Sequence, residues 1–172
     1  GYLNIASATN KSNPKAGNIY SWTTTQIPDI FLEATFPSGE RIRWIFDAKY
    51  RIEGKEGSID LIPDDAINQM HRYRDALIHL SEADDGVLEK SRPVVGAFVL
   101  YPGCFDEEAM ANPYTDAIDA VGIGGFPLLP GAKNLWLESF LRDRLGDLSG
   151  MSEPYPEATP DIHYLREPVR IY

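Results

Sequence analysis

Hydrophobic and polar residues alternate with a period of two through the second quarter of the chain. In one stretch Ile42, Trp44, Phe46, Ala48, Tyr50 and Ile52 fall on one side. Arg41, Arg43, Asp47, Lys49 and Arg51 fall on the other, with Ile45 the one apolar residue among them. In the stretch before it, Ile30, Leu32, Ala34 and Phe36 alternate with Asp29, Phe31 and Glu33. Successive side chains leave a strand on opposite sides, so this period predicts two strands. Pro37-Ser38-Gly39 between Phe36 and Glu40 suits a three-residue hairpin loop with Gly39 in the left-handed conformation. That loop sets Phe36 opposite Glu40, Ile30 opposite Phe46, Leu32 opposite Trp44, Ala34 opposite Ile42, Glu33 opposite Arg43 and Asp29 opposite Asp47. A two-residue loop would send the two apolar sets to opposite faces, which a one-sided core forbids.

The favoured register brings two carboxylates to about 5 Å at their β-carbons. Lys49 follows about 7 Å along the same face. Like charges so close are destabilising without a positive charge between them. Two acids and a lysine on one strand face therefore suggest a site for a divalent cation and a phosphate. Glu33 shares the face, but its partner Arg43 makes it a structural ion pair rather than a third ligand.

The remaining patterns extend the fold. Residues 1–17 are polar and aperiodic and read as a loop or extended lead-in. Residues 18–26 have strand composition and would precede the hairpin in a three-stranded meander. A loop over 53–62 leads to a helix capped by Asp64 or Asp65 and running to about Leu80. Its apolar stripe is Ala66, Met70, Tyr73, Leu77 and Leu80. Gln69 and Tyr73 are four apart and share a face, Gln69 at the border of the stripe and Tyr73 within it. His71, Asp75 and His79 have the same spacing on the opposite, solvated face, so a surface role outweighs metal binding there. The unbroken apolar run at 93–101 suits a strand buried on both faces. Residues 104–120 suit loop with a short helix, 121–131 either strand or glycine-rich loop, and 133–146 a helix with Leu137, Phe140, Leu141 and Leu145 on one stripe. A Pro-rich segment over 150–172 holds a last strand at 161–165. The whole, 1–172, is expected to be a single mixed α/β domain.

Composition narrows the function. A content of 43% hydrophobic and 11% aromatic residues marks a globular chain. No apolar run approaches the roughly 20 residues that span a bilayer, no signal peptide is apparent, and the single Cys104 allows no internal disulfide. These features fit a cytoplasmic location. The start at Gly1 without methionine reads as an excised domain. The net charge of −10 opposes nucleic-acid binding. Yet Arg41, Arg43, Lys49, Arg51 and Lys55 gather around the candidate site, and the acidity lies mostly further on. A partner or another domain is expected to supply most of the nucleic-acid grip.

Pro28-Asp29, then Asp47-Ala48-Lys49, then Gln69-Met70-His71-Arg72-Tyr73 on a helix resembles the PD-(D/E)XK nuclease superfamily. Their fuller wording is similar to nuclease domains that work beside motor GTPases in modification-dependent restriction systems. The resemblance implies a restriction-endonuclease-like mixed β-sheet flanked by helices, and a magnesium-dependent DNA endonuclease of a restriction or phage-defence complex, with RNA left open as a substrate. It implies Mg2+, replaceable by Mn2+, held by Asp29, Asp47 and the Ala48 carbonyl. Lys49 would act on the attacking water or the transition-state charge, with Gln69 and Tyr73 in support. A motor NTPase subunit is the implied partner. Such folds usually open with a helix, which residues 1–17 do not suggest. A nuclease-like module that binds DNA or a partner without cutting is therefore the alternative.

Overall fold

The computed structural model describes residues 19–22, 24–54 and 59–146. A four-stranded mixed sheet forms the centre, ordered β2 (Ile30–Thr35), β3 (Arg41–Ala48), β6 (Gly96–Tyr101), β7 (Ile123–Pro127). β2 and β3 are antiparallel; β3, β6 and β7 run parallel. The hairpin register is the one its loop implied, pairing Ile30 with Phe46, Leu32 with Trp44, Glu33 with Arg43 and Ala34 with Ile42. The Phe36 N–H donates to the Glu40 carbonyl and the Gly39 N–H to the Phe36 carbonyl, both at 2.8 Å. Gly39 takes φ +84°, where a side chain would be strained.

Both faces of this sheet are covered, against the one-sided hairpin that alternation alone implied. On one face α1 (Asp64–Ala76) sets Ala66, Met70 and Tyr73 against Ile45, Ala97 and Val99. Ile45, the apolar exception on the polar side of β3, is fully buried there. On the other face α2 (Thr115–Val121) contributes Ile118, and α3 (Leu135–Leu145) lays Leu137, Phe140, Leu141 and Leu145 on Trp44, Phe46, Phe98 and Phe126. Phe140 has ring centroids 5.0 Å from Phe98, 5.1 Å from Phe126 and 5.6 Å from Trp44. β7 is a strand rather than a loop. A Cβ on Gly124 would strike Ile118, and one on Gly125 would meet Ile62 at 2.3 Å and the Val99 carbonyl at 2.6 Å. Two small residues let both covering layers close on it.

Three expectations are corrected. β1 (Ile19–Ser21) does not join a meander with the hairpin; it pairs with β4 (Leu77–Glu82) in a second sheet ordered β1-β4-β5, with β5 spanning Leu88–Ser91. The helix ends at Ala76 rather than near Leu80, and Leu77 turns directly into β4. Leu77 and Leu80, three apart, leave β4 on opposite sides and are both buried, so they copy the spacing of a helical stripe. Pairing to β1 and β5 decides it. Pro63, not an aspartate, occupies the N-cap, and Asp64 and Asp65 lie in the first turn, where negative charge suits the helix dipole. The expected lead-in at 1–17, the segment at 150–172 with its strand at 161–165, and Lys55 lie outside the described residues.

Candidate active site

β3 carries the chemistry because its polar alternate positions are drawn under α1. Asp47, one residue before the strand's end, is only 2% exposed. Stripping a carboxylate of water is expensive unless charge and hydrogen bonds replace the solvent. Two side chains do so. The Tyr73 hydroxyl donates to Asp47 Oδ1 at 3.0 Å, and the Lys49 ammonium forms an ion pair with Oδ2. Asp47 and Lys49 meet because they are two apart on a strand and leave it on the same side. The Lys49 backbone N–H donates to the Leu100 carbonyl at 2.8 Å, tying the residue beyond the strand end to β6. Oδ2 itself is buried and receives no hydrogen bond; the ammonium is an ion-pair neighbour only.

Asp29 enters from the bend just before β2. The register, continued by one residue, sets it opposite Asp47. Its Oδ2 accepts the Ala48 N–H at 2.8 Å, the position a backbone carbonyl would take if β2 ran on. Asp29 is exposed where Asp47 is buried, so the pair spans the boundary between core and solvent.

Tyr73 comes from the middle of α1. Its hydroxyl also lies 3.1 Å from the Ile27 carbonyl, so its one proton is shared between that carbonyl and Asp47. Gln69, one turn earlier, donates its amide to the same hydroxyl at 2.7 Å. Burial, and then the hydrogen bond to Asp47, push the phenol up to about 12, so it stays a neutral donor at any physiological pH. The ring is core and the oxygen belongs to the site, which joins the two roles that the sequence left apart. The Ile27 carbonyl is a participant that the sequence reading missed. Its signal was Pro28, which confines the preceding residue to extended conformations.

Other candidates fall away. Glu33 accepts from Arg43 Nε at 2.6 Å as the ion pair expected. Asp75 binds Arg92 at 3.0 Å, and His79 lies in β4 rather than on α1, so His71, Asp75 and His79 share no helix face. Among the described residues no three His, Cys, Asp or Glu side chains form a metal cluster. The set of Asp29, Asp47 and the Ala48 carbonyl is two carboxylates and one backbone oxygen. Hard oxygen donors suit Mg2+ or Mn2+, which keep several waters and need few protein ligands. The buried Oδ2, which meets the Lys49 ammonium and no neutral donor among the described residues, suits a positive charge better than it suits an apolar core.

The basic patch is divided, not gathered at the site. Arg51 lies at the Asp47 end but pairs with Asp65. Arg41 and Arg43 stand at the opposite end of β3. Tyr50 and Ile52, expected on the apolar side, lie beyond the strand end and are exposed, Tyr50 at 95%.

The described helices include none long and apolar enough to cross a membrane. A family model described as the PD-(D/E)XK nuclease superfamily matches residues 2–106, more than half of the chain, a range that includes the five candidate site residues. Among curated proteins and among solved structures, none matches.

Proposed function

The chain belongs to the PD-(D/E)XK nuclease superfamily, and from that premise we propose that it is a magnesium-dependent endonuclease hydrolysing phosphodiester bonds in DNA. The observation that carries the reading is the Asp47 carboxylate, buried and cross-braced, with Lys49 paired to it and Asp29 bonded to the N–H of the next residue, Ala48. Asp29, Asp47 and the Ala48 carbonyl would hold the ion. When bound, a divalent metal acidifies a water and offsets charge on the phosphoryl oxygens.

The chain's own residues have separable tasks. Tyr73 fixes the rotation of the Asp47 carboxylate by holding Oδ1, which leaves Oδ2 as the oxygen for a cation. Gln69 is a positioning residue that acts through Tyr73. Asp29 holds the end of β3 through the Ala48 N–H while its other oxygen stays available. Lys49 brings an ammonium next to Asp47. It orients or deprotonates the attacking water, or lowers the energy of the charged transition state.

Cleavage of duplex DNA in Mg2+, lost in Asp47→Asn and in Lys49→Gln with the fold retained by circular dichroism, is the expected result. Cutting that survives both changes would remove the two residues from the reaction. The net charge of −10 supports a second reading, a module that binds DNA or a partner without cutting. Calorimetry separates the two: Mg2+ binding that disappears in Asp29→Ala supports the enzyme, and no binding at millimolar Mg2+ supports the module. The same acidity motivates placing the chain, as one nuclease-like domain, in a restriction or phage-defence complex beside a motor NTPase subunit that supplies DNA grip. Co-purification with the proteins encoded next to it tests that assignment.

A further inference from the structure

The half of the basic patch that leaves Asp47 has a structure of its own. A cleft of about 740 Å³ opens between the hairpin end of the central sheet and the edge of the second sheet. Ser38, Glu40, Arg41, Arg43, His79 and Arg92 line it. Arg43 is fixed by its Nε bond to Glu33, and Arg92 by its bond to Asp75 through one terminal nitrogen. A guanidinium has five N–H donors, so each keeps others for a ligand. Arg41 has no carboxylate partner among the described residues. His79 is half-buried, with its pKa lowered by burial and then by the Arg43 and Arg41 charges, against a smaller opposing effect of Glu33. The cations thus outweigh Glu33 at the imidazole, and among the described residues Glu40 is the one carboxylate on the cleft wall.

We propose that this cleft is a phosphate-binding site that holds the nucleic-acid backbone at a distance from the point of cutting. Planar guanidinium forks match phosphate oxygens, and Arg41 and Arg43 leave β3 on the same side as Asp47. At about 3.3 Å per residue, Arg43 and Arg41 lie about 13 and 20 Å from Asp47 along the strand. A chain with net charge −10 would then grip its substrate at a second point, at the other end of β3 from Asp47. The inference rests on the nucleic-acid reading above, and its test needs no catalysis.

The test uses the full chain in EDTA, where nothing is cut. The His79 ring resonance, assigned with His79→Gln, is followed by NMR against inorganic phosphate and, separately, a duplex oligonucleotide, with exposed His71 as the internal control. Both ligands are expected to shift His79 saturably and raise its pKa, and Arg41→Gln to weaken both effects several-fold. Duplex binding by fluorescence anisotropy should lose about one unit of salt slope in Arg41→Gln. It should lose none in Arg142→Gln on α3, across the sheet. A response to phosphate but not to duplex would overturn the backbone assignment in favour of a free anion. No response to either, or equal losses in the two arginine variants, would overturn the site itself. A wild-type chain that leaves duplex uncut in Mg2+, while His79 still answers the duplex in EDTA, would refute the nuclease reading and leave the cleft standing.

Discussion

Tyr73→Phe tests the relay from Gln69 through Tyr73 to Asp47 most directly. The change removes one oxygen and keeps the ring that packs in the core. It takes from Asp47 its hydrogen bond to Oδ1, and a hydrogen bond to a charged group contributes about 1.5–3 kcal/mol. The Ile27 carbonyl loses a weaker contact, and Gln69, half-buried, turns to water. The expected loss is therefore about 2–3 kcal/mol. In a chain of this size each kcal/mol lowers Tm by about 2–4 °C, so thermal unfolding in EDTA should drop by about 4–12 °C. Gln69→Ala alone should cost about 1 kcal/mol, because its bond is neutral and half-buried. Since Gln69 acts through the hydroxyl, the double variant should be no less stable than Tyr73→Phe, giving a coupling close to the whole Gln69 effect. Mg2+ affinity should weaken in step, as Asp47 is no longer held in one rotation. A Tm change under 1 °C, or strictly additive losses, would refute the relay.

Three other outcomes follow from the same geometry. In EDTA, Lys49→Ala should lose about 1–3 kcal/mol, less than a fully buried pair because Lys49 keeps 23% of its side chain exposed; Mg2+ should then raise its Tm more than it raises that of the wild type, and an equal rise would separate the ion's site from Oδ2. Tyr73 holds its proton more tightly when folded, up to about 12 against 10 unfolded. Its contribution, on the order of 3 kcal/mol, is thus complete below pH 10 and lost as pH rises towards 12. Urea unfolding across that window should fall less steeply in Tyr73→Phe, and parallel curves would contradict the assignment. Tyr101, by contrast, buries a hydroxyl that has no hydrogen-bond partner among the described residues, so Tyr101→Phe should leave stability unchanged or raise it by about 1 kcal/mol; a loss of that size in chemical denaturation would reveal a partner for the hydroxyl.

The hairpin was legible because two independent signals agreed. The Pro-Ser-Gly loop and the matching apolar sets permit one register, and that register aligns Asp29 with Asp47. The pair Gln69 and Tyr73 was legible as neighbours on a helix, but not their aim. That depends on α1 crossing over the polar side of β3, a tertiary choice signalled only by Ile45 among charged residues. The end of α1 was hidden because Leu77 and Leu80, three apart and both buried, continue the helical spacing although they leave β4 on opposite sides, and the second sheet depends on partners far apart in sequence. Arg41 and Arg43 looked like part of the catalytic surroundings because they are close in sequence. A strand separates residues by over 3 Å each, which carries them to another cleft.

The ammonium on Asp47 also bears on how the protein lives before it meets an ion. A buried carboxylate awaiting metal would unsettle a newly made chain, but here neutralisation is tethered two residues away and present from the moment β3 forms. On the proposed reading, a cation would have to evict that resident at its high local concentration, which would weaken apparent affinity and screen out dilute competitors. Eviction would free a positive charge beside the phosphate to be cut, so that loading and arming would be a single event.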